Sequence, residues 1–284
     1  MSTGPRSLPI VCTIAVVAVS AAAVLVRLAD GTHPVALAFW RTAIVAALLA
    51  PFARIRLARR DLALTALAGV LLAAHFWSWF ASLALTSVLR STVLVTLAPV
   101  WAGLLEWGVL KDPPPRRFWI GVAIAVPGVA IMSAGDGLGD GRVLGDGLAL
   151  LGGCLTAGYY LAGRSVRQRA DIATYGAWVC GFAALALLAF AAPLTGAELL
   201  DLPAGAWVVV AALALGPQLL GHVGFNWALR WLPASFVSAI ILLEPVGATA
   251  LAAVVLSELP SAIAMAGAAL VVTGVGTIIL PARG

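Results

Sequence analysis

Of the 284 residues in this chain, 62% are apolar and only 10% are charged, whereas soluble domains carry about 25% charged residues. That leaves too little polar surface to cover a water-soluble globule, so the composition excludes a soluble enzyme or binding domain and requires lipid as solvent. The net charge of +5 comes from arginines with Lys111 as the one lysine, and these cations sit in short loops between apolar runs, where they act as topology signals and do not point to nucleic acid.

A hydrocarbon core about 30 Å thick takes about 20 apolar residues per helix. Such runs fall at residues 8–28, 34–52, 62–85, 88–110, 118–134, 147–166, 174–193, 206–231, 233–256 and 261–280, which predicts an all-α polytopic membrane protein of ten transmembrane helices. Arg6 and the small residues Ala21, Ala22 and Ala23 would also suit a signal peptide. The apolar stretch continues to Val26, longer than the about 7–15 residues of a signal core, so it is taken as helix 1.

With the N-terminus in the cytoplasm, Arg6, Arg54, Arg56, Arg59, Arg60, Lys111, Arg116, Arg117, Arg164, Arg167, Arg169, Arg230 and Arg283 face inward. Only Arg90 and Arg142 face outward, and the outer loops collect Asp30, Asp136, Asp140, Asp146, Glu198, Asp201 and Glu258. The excess of inner arginine places both termini on the cytoplasmic side of the inner membrane. Cys12, Cys154 and Cys180 lie in separate apolar runs with no paired or metal-type spacing, and are read as small packing residues.

Sliding the sequence against itself by 146 residues aligns the stretch that begins at Leu85 with the one that begins at Trp231, without a gap. Pro99 then meets Pro245, Asp112 meets Glu258, Pro114 meets Pro260, Gly121 meets Gly267 and Gly128 meets Gly274. Recurrent Gly and Pro at one register are hard to obtain from apolar composition alone. The expected organisation is a first five-helix repeat at 1–138, a linker at 139–145 and a second repeat at 146–284. An odd number of spans per half makes the two repeats inverted, a geometry suited to alternating access.

These motifs resemble the drug/metabolite transporter superfamily, in particular its EamA-type ten-helix exporters. The resemblance rests on Pro99, on LLEPVGATALAAVVLSELP around Glu244 and Pro245, on GDGLALLGGCLTAGYYLAGR at the start of the second half, and on Phe39, Trp40 and Arg41. Among the branches it is closest to the YddG-like amino-acid exporters. The resemblance implies efflux or exchange of small metabolites, amino acids among them, through a central cavity built from spans 3, 4, 8 and 9. One departure is LKDPPPRR, which stands after span 4 where the family has a glycine-glutamate turn, while LSELP keeps the glutamate after span 9.

Polar groups at membrane depth are costly unless paired or facing a wet cavity. His75, Ser78, Trp79 and Ser82 recur at steps of three and four on span 3, and Gln218, His222, Phe225, Asn226 and Leu229 form a second stripe on span 8. With Trp101 and Tyr159 they are the candidate substrate-binding residues, offering hydrogen bonds for a carboxylate or amine and aromatic walls for an apolar side chain. Interhelical packing is the competing role for the same groups.

Glu244 beside Pro245 is the most conspicuous charge. It is a candidate for proton coupling, for substrate contact, or for a structural pair with Arg41 or Arg27; Arg41 is correspondingly a counter-charge or an anchor for an anionic substrate group. Glu106, nearer a span end, is expected to snorkel, and Trp40, Trp119 and Trp207 suit an interfacial belt. The glycines spaced by seven on spans 5 and 10 suit close scaffold packing.

The sequence therefore points to a secondary transporter working with a small-molecule substrate and the bilayer. No cofactor, metal or nucleic acid is expected, proton coupling and oligomeric state are left open, and a monomer suffices. The nearest alternative is a proton-coupled multidrug or cation exporter. An intramembrane enzyme using His75 or His222 lacks a nucleophile or an HExxH motif beside it, and a channel would need a filter loop or charged rings. G-x-x-x-x-G-K-[ST] does not occur, so the energy source is a gradient or the substrate itself.

Overall fold

The computed structural model describes residues 4–29, 31–54, 56–86, 91, 94–134, 143–196, 198–255 and 260–280, and every regular element among them is helical. Helix α1 (Leu8–Ser20) and α2 (Ala22–Leu28) form one stretch interrupted at Ala21, followed by α3 (Pro34–Leu49) and the long α4 (Arg59–Leu85). Next come α5 (Ala98–Leu105), prolonged by a π-helical turn over Glu106–Leu110, then α6 (Arg116–Ala134) and α7 (Val143–Arg167). Helix α8 (Ile172–Ala186) continues through a π turn to Thr195, and α9 (Ala206–Leu213) runs through a π-helix over Ala214–Val223 into Gly224–Ala228. The chain closes with α10 (Ala234–Ile241), α11 (Glu244–Val255) and α12 (Ala262–Ile279).

Seven of these helical stretches, among the described residues, are long and apolar enough to cross a membrane: Leu8–Val26, Pro34–Phe52, Arg59–Leu83, Ile172–Thr195, Ala206–Ala228, Ala234–Leu251 and Ala262–Ile279. The outward faces are apolar too: Leu194 is 77% and Val208 is 74% exposed, as expected of surface that meets acyl chains and not water. Of the residues used above to read topology, Asp30, Arg90, Asp136, Asp140, Arg142, Glu258 and Arg283 lie outside the described residues, as does the side chain of Arg27.

Local chemistry sets the helix ends. Pro34 opens α3, where its missing N–H costs nothing, and the His33 Nδ1 accepts the Val35 N–H at 3.2 Å. Asp171 caps α8 by accepting the Thr174 N–H at 2.8 Å and the Thr174 hydroxyl at 2.9 Å, with Arg54 3.6 Å away. Burial works against its charge, yet the two Thr174 bonds and Arg54 prevail and hold the Asp171 carboxyl below the usual carboxylate range. After α5, Lys111 takes a left-handed φ of 57°, a conformation that glycine adopts without strain and an L side chain does not. The sequence departure at LKDPPPRR thus leaves a lysine carrying a glycine-type turn.

Two helices begin the same way. Helix α5 starts at Ala98 with Pro99 second, after a turn at Thr96 and Leu97; α11 starts at Glu244 with Pro245 second, after a turn at Leu242 and Leu243. Ala98 and Glu244 are 146 residues apart, the spacing of the sequence repeat. Span 9, expected to be continuous over 233–256, is therefore a pair of helices. Its junction is held by short backbone bonds from Leu242 to Ala239 at 3.2 Å and from Leu243 to Ile240 at 3.1 Å.

The most extensive helix contact joins α6 and α12. A methyl group added to Gly121 would lie 2.5 Å from the carbonyl oxygen of Gly274, and one on Gly274 would lie 2.5 Å from that of Gly121. Gly128 and Gly267 oppose each other in the same reciprocal way, at 2.8 and 2.5 Å. The two backbones thus come into direct contact at the glycines, with Ile278, Leu270 and Met132 packed at the same seam, gaining dispersion and Cα–H contacts in a solvent that supplies no hydrophobic drive.

Gly274→Ala should force the helices apart at a cost of about 1–3 kcal/mol, read as a clear drop in unfolding temperature of the detergent-solubilised protein. Gly108→Ala, where nothing lies within 4 Å of the added carbon, should be far milder; equal effects of the two changes would refute this packing.

Candidate functional site

The apolar interior holds a contiguous set of polar side chains drawn from α3, α4, α7, α8 and the π-helical stretch that continues α9. Arg41 on α3 is 1% exposed. Its guanidinium carbon lies 4.6 Å from the centroid of the Phe76 ring on α4, a cation–π contact that partly replaces lost hydration. Phe76 meets the ring of His222 at 5.5 Å, His222 lies 6.4 Å from Tyr159, and Tyr159 packs on Tyr160 at 4.7 Å. Asn226 donates to the Tyr159 hydroxyl, and Gln218 donates to the Cys180 sulfur at 3.5 Å. Glu244, half-buried at the start of α11, is an electrostatic neighbour of both Arg41 and Tyr160.

What distinguishes this cluster is how much of it lacks a partner. Buried atoms without a hydrogen bond include Arg41 Nε and Nη2, Gln218 Oε1, His222 Nδ1, Asn226 Oδ1 and the hydroxyls of Tyr160 and Tyr175. Each such atom in a low-dielectric interior costs on the order of 1–3 kcal/mol, more for a charged group. Such atoms mark places where an ordered water or a solute supplies the missing bond.

The residues proposed from the sequence divide between this cluster and the scaffold. Tyr159, Gln218, His222, Asn226, Arg41 and Glu244 come together. His75 lies beside them, electrostatically coupled to Arg41 and His222, but its Nδ1 is engaged by the Gly152 carbonyl at 3.0 Å and the Thr156 hydroxyl at 2.7 Å, while its ring stacks on Trp79 at 6.2 Å.

Ser78 and Ser82 direct their hydroxyls to their own helix, onto the His75 carbonyl at 3.1 Å and the Trp79 carbonyl at 2.7 Å, and Ser82 also bonds Ser91. Both serines are therefore satisfied without a ligand. Trp101 stands on α5, half-buried with its Nε1 unpartnered and no ring stacked on it among the described residues. Phe225 and Leu229, in the span 8 stripe, belong to the hydrophobic core. The π-helix around Pro217 changes the periodicity there, since a proline that cannot donate displaces the backbone ladder. An open apolar groove between α1 and this π-helix is lined by Thr13, Val17, Pro217, Leu220 and Leu251 and includes none of the proposed substrate residues.

Glu106 corrects the sequence reading. It does not snorkel: it is 1% exposed, bonded to Arg164 at 2.7 Å, and accepts the Ala234 N–H at 2.7 Å and the Ser235 hydroxyl at the first turn of α10. One carboxylate thus ties α5 to α7 and α10, with Asp112 3.7 Å from Arg164 adding a second acid. Arg164, taken from sequence as a topology signal, is the partner that makes burial of Glu106 tolerable. The available signal was an acid inside an apolar run, which by itself implies a cation nearby. Trp40 likewise does more than mark an interface, since it donates to the Leu199 carbonyl at 2.6 Å and meets Trp207 edge-on at 4.9 Å. Arg41 and Glu244, offered from sequence as a charge pair, make no ion pair with each other among the described residues.

Apolar outward faces on helices long enough to cross a bilayer, around an interior that holds charged and aromatic side chains, define an integral membrane protein. The family model described as the EamA-like transporter family matches the chain twice, over residues 8–134 and 143–280, and the chain belongs to that family. It is similar to the uncharacterized transporter YwfM of Bacillus subtilis, at 28% identity over 222 residues, 73% of this chain and 70% of that protein. It is also similar to a probable terminal-alkyne amino-acid exporter of Streptantibioticus cattleyicolor, at 27% identity over 192 residues, 65% of this chain and 62% of that one. A crystal structure sharing 18% identity superposes with a TM-score of 0.83 over 99% of both chains, which supports the fold.

Removing the Glu106 carboxylate leaves Arg164 unpaired and the start of α10 uncapped, a loss of about 3–5 kcal/mol by analogy with broken buried pairs. Glu106→Ala should lower the unfolding temperature markedly, and Glu106→Gln, which keeps an acceptor for Ala234, should lower it less. A melting temperature indifferent to both would show that this carboxylate holds nothing together.

Proposed function

We propose that the protein is a secondary transporter that exports small metabolites, amino acids with apolar or aromatic side chains foremost, across the cytoplasmic membrane by alternating access. The single observation that carries this reading is the concentration of unpartnered polar atoms in the membrane interior, on helices from both halves of the chain. Such groups cost stability in a scaffold and repay it only when a polar solute passes among them. The relative named as a probable amino-acid exporter supports the substrate class.

In this reading the seven apolar spans are joined by Ala98–Leu110, Arg116–Ala134 and Val143–Arg167 to make ten, arranged as inverted halves at 1–138 and 146–284. Three features support the repeat: the double match of one family model, the helix starts at Ala98 and Glu244, and the reciprocal glycine pairs. Exchanging the two halves by 146 residues turns the contact Gly121–Gly274 into Gly267–Gly128, so the pairs map onto one another. Both termini lie in the cytoplasm, and Glu106, Arg164 and Ser235 close the inner side. Glu244 is the candidate for coupling transport to protons, being half-buried and held in no ion pair among the described residues.

That same unpaired Glu244 favours a second reading, a polyspecific drug or cation exporter. Uptake of an amino-acid panel into proteoliposomes, with and without a pH gradient, separates the two. Export of amino acids predicts saturable flux for at least one apolar or aromatic amino acid, and proton coupling predicts that Glu244→Gln abolishes the response of the remaining flux to the gradient. Flux of organic cations with none of any amino acid would transfer the assignment to the second reading.

A further inference from the structure

The two unpartnered atoms of Arg41 are Nε and Nη2, and their identity matters. In a planar guanidinium these two nitrogens present parallel N–H bonds along one edge, the edge that receives a carboxylate side-on through two hydrogen bonds. Phe76 occupies the face of the group, so the edge is left over. A cation held at this depth with its bidentate edge vacant is the more costly half of a recognition pair, and nothing in the protein among the described residues fills it.

Glu244 is the obvious internal candidate, and it does not. It lies within electrostatic reach of Arg41, yet no oxygen of Glu244 forms an ion pair with Arg41. The backbone holds it in place: the Glu244 carbonyl accepts the Ser20 hydroxyl of α1 at 3.2 Å, and a Cβ on the nearby Gly247 would collide with Ser20. The residue is only partly exposed, and Tyr160 is a second electrostatic neighbour of its carboxyl. Arg41 and Glu244 are thus close enough to feel each other and do not form an ion pair.

We propose that Arg41 and Glu244 are the two poles of a zwitterion site: the Nε–Nη2 edge of Arg41 seats the substrate's carboxylate, and Glu244 faces its ammonium. This rests on the amino-acid transporter reading and narrows it to ligands that carry an ammonium and a carboxylate on one carbon. The arrangement explains why a costly arginine and a costly glutamate are retained without neutralising each other: the ligand supplies both missing counter-charges at once. Gln218 Oε1 and His222 Nδ1, both unpartnered, complete the polar wall between them.

The test uses the full-length protein in proteoliposomes and the amino acid that the panel shows to be carried fastest, with its carboxamide and its deamino acid as competitors. On the wild-type protein each analogue should compete about 100-fold less well than the amino acid, the loss expected when one charged, hydrogen-bonded contact is removed. Arg41→Lys keeps the charge but lacks the fork, and should raise KM at least about 10-fold while narrowing the discrimination against the carboxamide. Glu244→Gln should narrow discrimination against the deamino acid and leave that against the carboxamide intact.

Competition by both analogues within about threefold of the amino acid would overturn the site even if neither variant folds, as would an Arg41→Lys protein that keeps full discrimination against the carboxamide. In either case amino-acid transport itself would stand. Absence of flux with every amino acid removes the amino-acid reading and this site together.

Discussion

Lipid outside the protein withdraws water as a hydrogen-bond partner, and every polar group inside must then be answered by another part of the chain or by a solute. The structure sorts its buried polar groups by that rule. Glu106 is answered in full by Arg164, the Ala234 N–H and the Ser235 hydroxyl; Ser78 and Ser82 are answered by their own helix; Arg41 is not answered along one edge. Structural and functional polar residues look alike in sequence. They differ here in whether the chain itself supplies the partner.

The answered groups hold the frame. Glu106 binds α5, α7 and α10 into one unit, Asp171 caps α8 and reaches Arg54, and Arg169 pairs with the nearly buried Asp61 at the start of α4. Around them the aromatic residues of the core fill volume, with Tyr159, Tyr160, Tyr175, Phe76 and Phe225 all fully buried. Phe76, packed on the Arg41 guanidinium and against the His222 ring, links this core to the unpaired atoms. Preorganisation of a polar site in a membrane thus depends on satisfied groups a few turns away.

Much of this was legible in the sequence, for identifiable reasons. Apolar runs of about 20 residues announce helices because the bilayer fixes their length, and Gly and Pro recurring 146 residues apart mark equivalent positions in two halves. His222, Gln218, Asn226, Tyr159, Arg41 and Glu244 were identifiable because polar side chains in such runs are conspicuous. Less legible were features set by partners distant in sequence. Arg164 and Glu106 are 58 residues apart and Glu106 and Ser235 are 129 apart, and no periodicity connects them. The π-helix at Ala214–Val223 shifts which faces Gln218 and His222 present, and its only local sign was Pro217. Serines at steps of three and four share a face with His75, but a hydroxyl that bends back to its own carbonyl leaves no trace in spacing.

The contact of α6 with α12 has a mechanical meaning. Where main chain lies against main chain at Gly121, Gly128, Gly267 and Gly274, there is little clearance for one helix to slip along the other, so the pair behaves as one rigid unit. Helical hydrogen bonding is instead interrupted ahead of Ala98 and ahead of Glu244, and the helix after each break is followed in the chain by one member of this pair, so the tightest backbone contact and two breaks in the helical ladder fall in consecutive elements.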